Sequence, residues 1–250
     1  MRQDLTRVSS IPWLAIATTV AVMCLASTSP AFADASGPLN EVNCSGGGMA
    51  ISGTALTWSP NGGSAGTGCI ETTAGTSIAY SGGTLGSGVT GNIEDLTLGG
   101  GSVVDFMAFQ GSTLNFVLTG LGPGSSNTDC TSLAVDGTCS ISTGNPFVLK
   151  NLGGGDTEIT LIAFGTVTDG GTTSPWSGLF STEVSVTPEA FQTTIEGGGT
   201  VTSSQSGQFD VNAAATPEPG TGGLMLIGAG LVALTMVIRK RNSPNHQHSS

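Results

Sequence analysis

Glu158-Ile159-Thr160-Leu161-Ile162-Ala163-Phe164 is the stretch that decides the fold class. It is short, dense in β-branched and aromatic side chains, and closed on its N-terminal side by Gly153-Gly154-Gly155. Those features mark a β-strand, because branched and aromatic side chains fit a pleated surface and glycine clusters make turns. Leu114-Asn115-Phe116-Val117-Leu118 alternates in the same sense. Further strands are predicted at Ala50–Leu56, Val103–Phe109, Pro146–Lys150, Leu179–Val186, Phe191–Ile195 and Gly207–Val211. Pro60-Asn61-Gly62-Gly63, Gly120–Ser126, Asp169-Gly170-Gly171 and Gly197–Gly199 punctuate them. No run of ten or more residues in this part has the period of an amphipathic helix. The expectation is an all-β domain, an antiparallel sandwich or jelly roll with Gly-rich loops. The four glycine triplets starting at Gly46, Gly99, Gly153 and Gly197 read as turns at strand entrances. Ala35–Leu85, poor in large apolar residues, reads as a loosely ordered lobe.

Charge narrows the chemistry. Fifteen acidic residues lie between Asp34 and Asp210, where Lys150 is the only cation, so this part carries a net charge of about −14 at neutral pH. Nucleic acid is excluded as a partner, since binding it needs cations to neutralise phosphates. No histidine lies between Met1 and Asn245, which removes Ser-His-Asp and Cys-His catalysis and histidine-based zinc sites from the exported part. None of the glycine triplets leads into the Lys-Ser or Lys-Thr pair of a phosphate-binding loop. The acidic groups Glu94-Asp95 with Asp105, Asp129 with Asp136, and Asp156 with Glu158 are the candidate carboxylate pairs. Paired acids can hydrolyse glycosides without histidine. The simpler reading is that acids keep a glycine-rich exterior soluble, with no catalytic residue, cofactor or metal expected. Trp176, in Ser174-Pro175-Trp176-Ser177-Gly178-Leu179-Phe180, is a candidate glycan contact, the alternative being a tryptophan packed against the core.

Both ends of the chain carry addresses. Arg2 and Arg7 precede the apolar run Ile11–Ala26, and Ala31-Phe32-Ala33 before Asp34 is an A-x-A cleavage site. Residues 1–33 therefore read as a signal peptide for the Sec translocon and signal peptidase. The exported chain keeps Cys44, Cys69, Cys130 and Cys139, an even number that predicts two disulfides. Three pairings are open, of which Cys44–Cys69 with Cys130–Cys139 is the most local. Residues 34–211 form the predicted β-rich domain, and residues 212–219 a stalk ending in Pro217-Glu218-Pro219. Gly220–Ile238 is nineteen residues without an ionisable group. As a helix it would span about 28 Å, close to a bilayer core. Arg239-Lys240-Arg241 then opens a basic tail, 239–250, that holds this end in the cytoplasm.

Pro217-Glu218-Pro219, the apolar segment and the basic triplet together resemble the PEP-CTERM sorting signal of exopolysaccharide-producing Gram-negative bacteria. The resemblance covers about residues 216–241. It implies an exosortase as processing enzyme, an inner-membrane intermediate, and a final place at the cell surface or in the extracellular matrix. It also implies a structural or adhesive role, with exopolysaccharide as a candidate ligand. The alternatives are a permanently anchored envelope protein without processing, and a carbohydrate-active enzyme using paired carboxylates.

Overall fold

The computed structural model describes residues 34–59 and 67–214. Strands β1 (Gly37–Asn43), β2 (Gly48–Ile51), β3 (Ala55–Ser59), β4 (Thr67–Thr72), β5 (Ile78–Tyr80) and β6 (Gly83–Leu85) come first. They are followed by β7 (Thr90–Glu94), β8 (Leu96–Thr97), β9 (Val103–Phe109), β10 (Asn115–Leu121), β11 (Thr138–Cys139) and β12 (Phe147–Gly153). The long hairpin β13 (Asp156–Asp169) and β14 (Thr172–Val184), helix α1 (Pro188–Glu196), β15 (Val201–Ser203) and β16 (Ser206–Val211) complete the order.

The chain is all-β and antiparallel, as the alternation predicts, but the main sheet closes on itself. Its order runs β10-β9-β7-β4-β1-β16-β14-β13, and β10 pairs again with β13. Eight strands thus form a barrel-like ring in place of the two facing sheets of a sandwich or jelly roll. Closure depends on β13 having two partners along one edge. Phe147–Gly153 pair with its first half, and Asn115–Leu121 with its second. A strand of ordinary length could not bridge both. A smaller sheet, β15-β2-β3-β8, adds Met49, Ile51, Leu56, Trp58 and Leu96 to the buried core.

Rings dominate the interior. Trp58, Phe106, Phe109, Phe116, Trp176, Phe180 and Phe209 form a connected network with centroids 4.9–6.2 Å apart. Mostly edge-on or tilted geometry suits the ring quadrupoles. A narrow barrel has room for such rings only where neighbouring inward positions are small. Gly178 and Gly207 supply that room beside Phe209. Strand-internal glycine is therefore a packing device here, as well as the turn punctuation expected of it. The turn role is kept at Gly170 and Gly171, whose φ angles of 55° and 99° close the β13–β14 hairpin.

Three expectations need correction. Phe191–Ile195 is helical: Thr187 caps α1 by accepting from the Ala190 amide at 3.2 Å, Pro188 opens it, and Phe191 and Ile195 bury its inner side. Ala50–Leu56 is a hairpin, because Ser52 Oγ accepts from the Ala55 amide at 3.0 Å and turns the chain. Ala35–Leu85 is no loose lobe among its described residues. β1 and β4 are barrel staves, and Leu39, Ile70 and Ile78 are fully buried.

The disulfides are Cys44–Cys69 and Cys130–Cys139, each with Cα atoms 5.4 Å apart. The first ties β1 to β4. The second closes a loop that α1 also holds, Gln192 Nε2 donating to Thr128 O at 3.0 Å and Ile141 O at 2.7 Å.

Candidate functional site

Strand register places three transverse rows of side chains on the outer face of the barrel. One row runs Val42–Ser206–Ser181–Thr160 across β1, β16, β14 and β13. The next runs Asn40–Gln208–Leu179–Ile162, and the third Pro38–Asp210–Ser177–Phe164. At the first row the face deepens into a cleft of about 580 Å³. Its walls are the turn after β1, Glu158 and Glu183 paired across β13 and β14, and Ser204–Ser206. The third row carries Phe164, 43% exposed, with Ile162 of the second row beside it at 46%.

Behind the cleft lies a buried polar pair. Glu41 faces inward from β1, and its carboxyl accepts from Gln205 Nε2 at 3.0 and 3.1 Å. Burial pushes the Glu41 pKa up to about 8, only partly opposed by the Gln205 hydrogen bond, so the group is mostly neutral at pH 7. Gln205 lines the cleft and is 4% exposed, its backbone NH donates to Asn43 Oδ1 at 2.8 Å, and its Oε1 has no protein partner. No signal singled out this pair, although Leu39-Asn40-Glu41 places Glu41 on the same inward phase as Leu39.

Of the acids named from the sequence, Asp95, Asp105, Asp129 and Asp136 make scaffold contacts. Asp95 Oδ1 accepts from the Trp58 amide at 2.8 Å, and Asp105 holds Asn115. Burial, then the neighbouring Asp95 and Asp105 charges, raise the pKa of Glu94. Asp129 Oδ1 accepts from the Thr131 amide at 2.9 Å, and that contact lowers its pKa. Asp136 forms an ion pair with Lys150 at 3.0 Å, which raises the lysine pKa. Asp156 and Glu158 share the outer phase of β13, where the cross-strand partner of Glu158 on β12 is Lys150. Asp169, absent from those groups, is the most thoroughly held acid. Buried to 1% exposure, it accepts from the Ser81 amide, Ser81 Oγ and Thr113 Oγ1. Burial alone would raise its pKa, but these bonds win and lower it. No group of three or more potential metal ligands gathers among the described residues.

Trp176 packs in the barrel core, the alternative reading of this residue. It is 1% exposed, stacks on Phe106, and donates its indole NH to Thr166 O at 3.1 Å and Val117 O at 3.2 Å. The alternation of β14 turns it inward, and the exposed ring on this part of the barrel is Phe164 of β13. A single phenylalanine in an apolar run carries no sequence signal of exposure.

Ala31, Ala33, Pro217, Glu218, Pro219, Arg239, Lys240, Arg241 and the membrane-length segment 220–238 lie outside the described residues. Among the described residues no helix is long and apolar enough to cross a membrane. Comparison with family models matches residues 215–241 to the PEP-CTERM protein-sorting motif. Neither curated proteins nor solved structures give a match. The matched segment contains the Pro-Glu-Pro triplet, the apolar run and the basic triplet in order, and such a segment is the substrate signal of exosortases. The chain accordingly carries a PEP-CTERM protein-sorting motif at its C-terminal end, the signal of an exported protein directed to the cell surface.

Proposed function

We propose that the protein is a non-enzymatic structural or adhesive component of an exopolysaccharide layer. Export begins with Sec delivery and cleavage after Ala33. Residues 220–238 then hold the chain in the inner membrane, with Arg239-Lys240-Arg241 on the cytoplasmic side, until exosortase cuts near Pro217-Glu218-Pro219. The observation that carries this reading is the sorting motif at 215–241. In the sequence it follows a disulfide-linked β-barrel in which Asp95, Asp136 and Asp169 are engaged in scaffold contacts. A disulfide framework suits an oxidising compartment.

Mass spectrometry of the protein recovered from cells tests the reading. A chain beginning at Asp34 and ending near Pro217–Gly220 is expected, and deletion of the exosortase should restore the full C-terminus. A mature chain that still ends at Ser250 would overturn processing and leave a permanently anchored protein.

A further inference from the structure

Among the described residues, Val104, Val135, Ile162 and Phe164 are the large apolar side chains left exposed, and the last two are neighbours on β13. Their exposure is built in by what lies opposite. A Cβ at position 120 would stand 2.6 Å from Phe164 Cζ, and one at position 122 would stand 2.7 Å from Ile162 Cβ. Gly120 and Gly122 therefore leave a notch across which Phe164 and Ile162 lie. The Phe164 ring reaches over Gly120 of β10, with Ser177 as its cross-strand neighbour on β14, and offers an exposed apolar surface next to a hydroxyl-bearing strand. Two rows along the same strands the face drops into the hydroxyl- and carboxylate-lined cleft. Four residues of β13 separate the two features, roughly 14 Å of extended chain.

We infer that this outer face binds an uncharged glycan. One sugar stacks on Phe164, and the chain runs along β13 and β14 into the cleft, where Ser181, Glu183 and Gln205 take its hydroxyls. Aromatic planes suit the apolar face of a sugar ring, while carboxylates and amides accept and donate to its rim. The cleft volume falls in the range of small-molecule sites. Asp210, Glu158 and Glu183 would repel an acidic polysaccharide, and Lys150 is the only described cation, already paired with Asp136. The same charge disfavours an anionic membrane surface. A second copy of the chain would need about 800 Å² of good complementarity on each side, far more than two adjacent side chains provide. The inference rests on the proposed place in a polysaccharide layer for the source of the glycan, and on the geometry for its class.

The test uses the full chain in a sugar-free detergent, titrated calorimetrically with glucan, mannan and galactan hexasaccharides and with polygalacturonate. At least one neutral oligosaccharide should bind. Phe164→Ala should weaken it about tenfold or more, Phe164→Trp should retain it, and Glu183→Ala should weaken it several-fold. Thermal melts establish that each variant is folded, and Glu183→Ala carries the test alone should Phe164→Ala fail to fold. Four results would overturn the inference: no neutral binding up to about 10 mM, undiminished binding by folded Phe164→Ala, tighter binding to polygalacturonate, or Phe164-dependent binding to phosphatidylglycerol vesicles in place of glycan. An intact Ser250 in cells would sink the sorting route and leave these titrations unaffected.

Discussion

Gly165 stands directly opposite Trp176 in the β13–β14 register, and the indole occupies the space a side chain at 165 would need. A Cβ there would clash hardest with the Val117 carbonyl oxygen of β10 and would also come within 2.9 Å of Trp176 Cε2. The glycine thus seats the central ring of the barrel and lets β10 approach the strand that closes the sheet. Gly165→Ala should destabilise the protein by about 1–3 kcal/mol, an overpacking cost. Trp176→Phe should recover part of that loss in the double variant, because the ring clash is relieved while the Val117 clash stays. Denaturant melts of the two single variants and the double variant read the coupling.

Asp169 and Ser81 bind the end of β13 to the β5–β6 turn through a carboxylate that accepts three hydrogen bonds in a buried site. Asp169→Ala would strand the Ser81 amide and two hydroxyls, costing about 2–4 kcal/mol. Asp169→Asn should cost less, since one oxygen remains to accept. The folded pKa lies below the ordinary value of 3.8, so the carboxylate contribution is present above that value and is lost as pH falls through the lowered pKa. Acid melts of the wild type should show this loss, and Asp169→Asn should remove that part of the slope.

How much of this was legible depends on distance along the chain. Val103–Phe109 coincides with β9, and the Asp169-Gly170-Gly171 turn marks the long hairpin, because both are local patterns. Ring closure was not legible. It rests on Asn115–Leu121 meeting Ala163–Thr168 some fifty residues on, and alternation says only which face is apolar. The inward glycines were hidden by their usual meaning, since nothing in Phe164-Gly165-Thr166 separates a packing notch from a turn. Helix α1 was readable from Thr187-Pro188-Glu189, a cap, an N1 proline and an acid in the first turn, but nine residues are too few for a persuasive period. Nothing local to Pro175-Trp176-Ser177 shows whether the ring is exposed, and only the phase of β14 reveals that Trp176 points inward.

Cys44–Cys69 closes a loop that contains β2 and β3, and the Cys44 amide also donates to Cys69 O at 3.1 Å. The bond therefore clamps neighbouring staves at the point where the small sheet leaves the barrel. Replacing both cysteines with serine should cost about 2–4 kcal/mol. The barrel strands β13 and β14 should keep their amide protection, while β2 and β3 exchange faster. Hydrogen exchange with mass spectrometry distinguishes this local loosening from a uniform loss of stability.

Glu41 carries the clearest pH dependence in the barrel. Its pKa is raised from 4.5 to about 8 on folding, so between those values the folded protein holds a proton that the unfolded chain releases. The linkage sign is then fixed: the contribution is full below about pH 4.5, falls as pH rises, and levels off above about pH 8. The slope at its steepest is about 1.4 kcal/mol per pH unit. Glu41→Gln keeps the shape and the neutral, hydrogen-bonding character of the buried group while removing the proton. The variant should match the wild type near pH 5 and exceed it at pH 8–9, with a flatter profile between. Urea melts at pH 5, 7 and 9 measure the difference, and parallel profiles for the two proteins would mean that Glu41 does not hold its proton in the folded barrel.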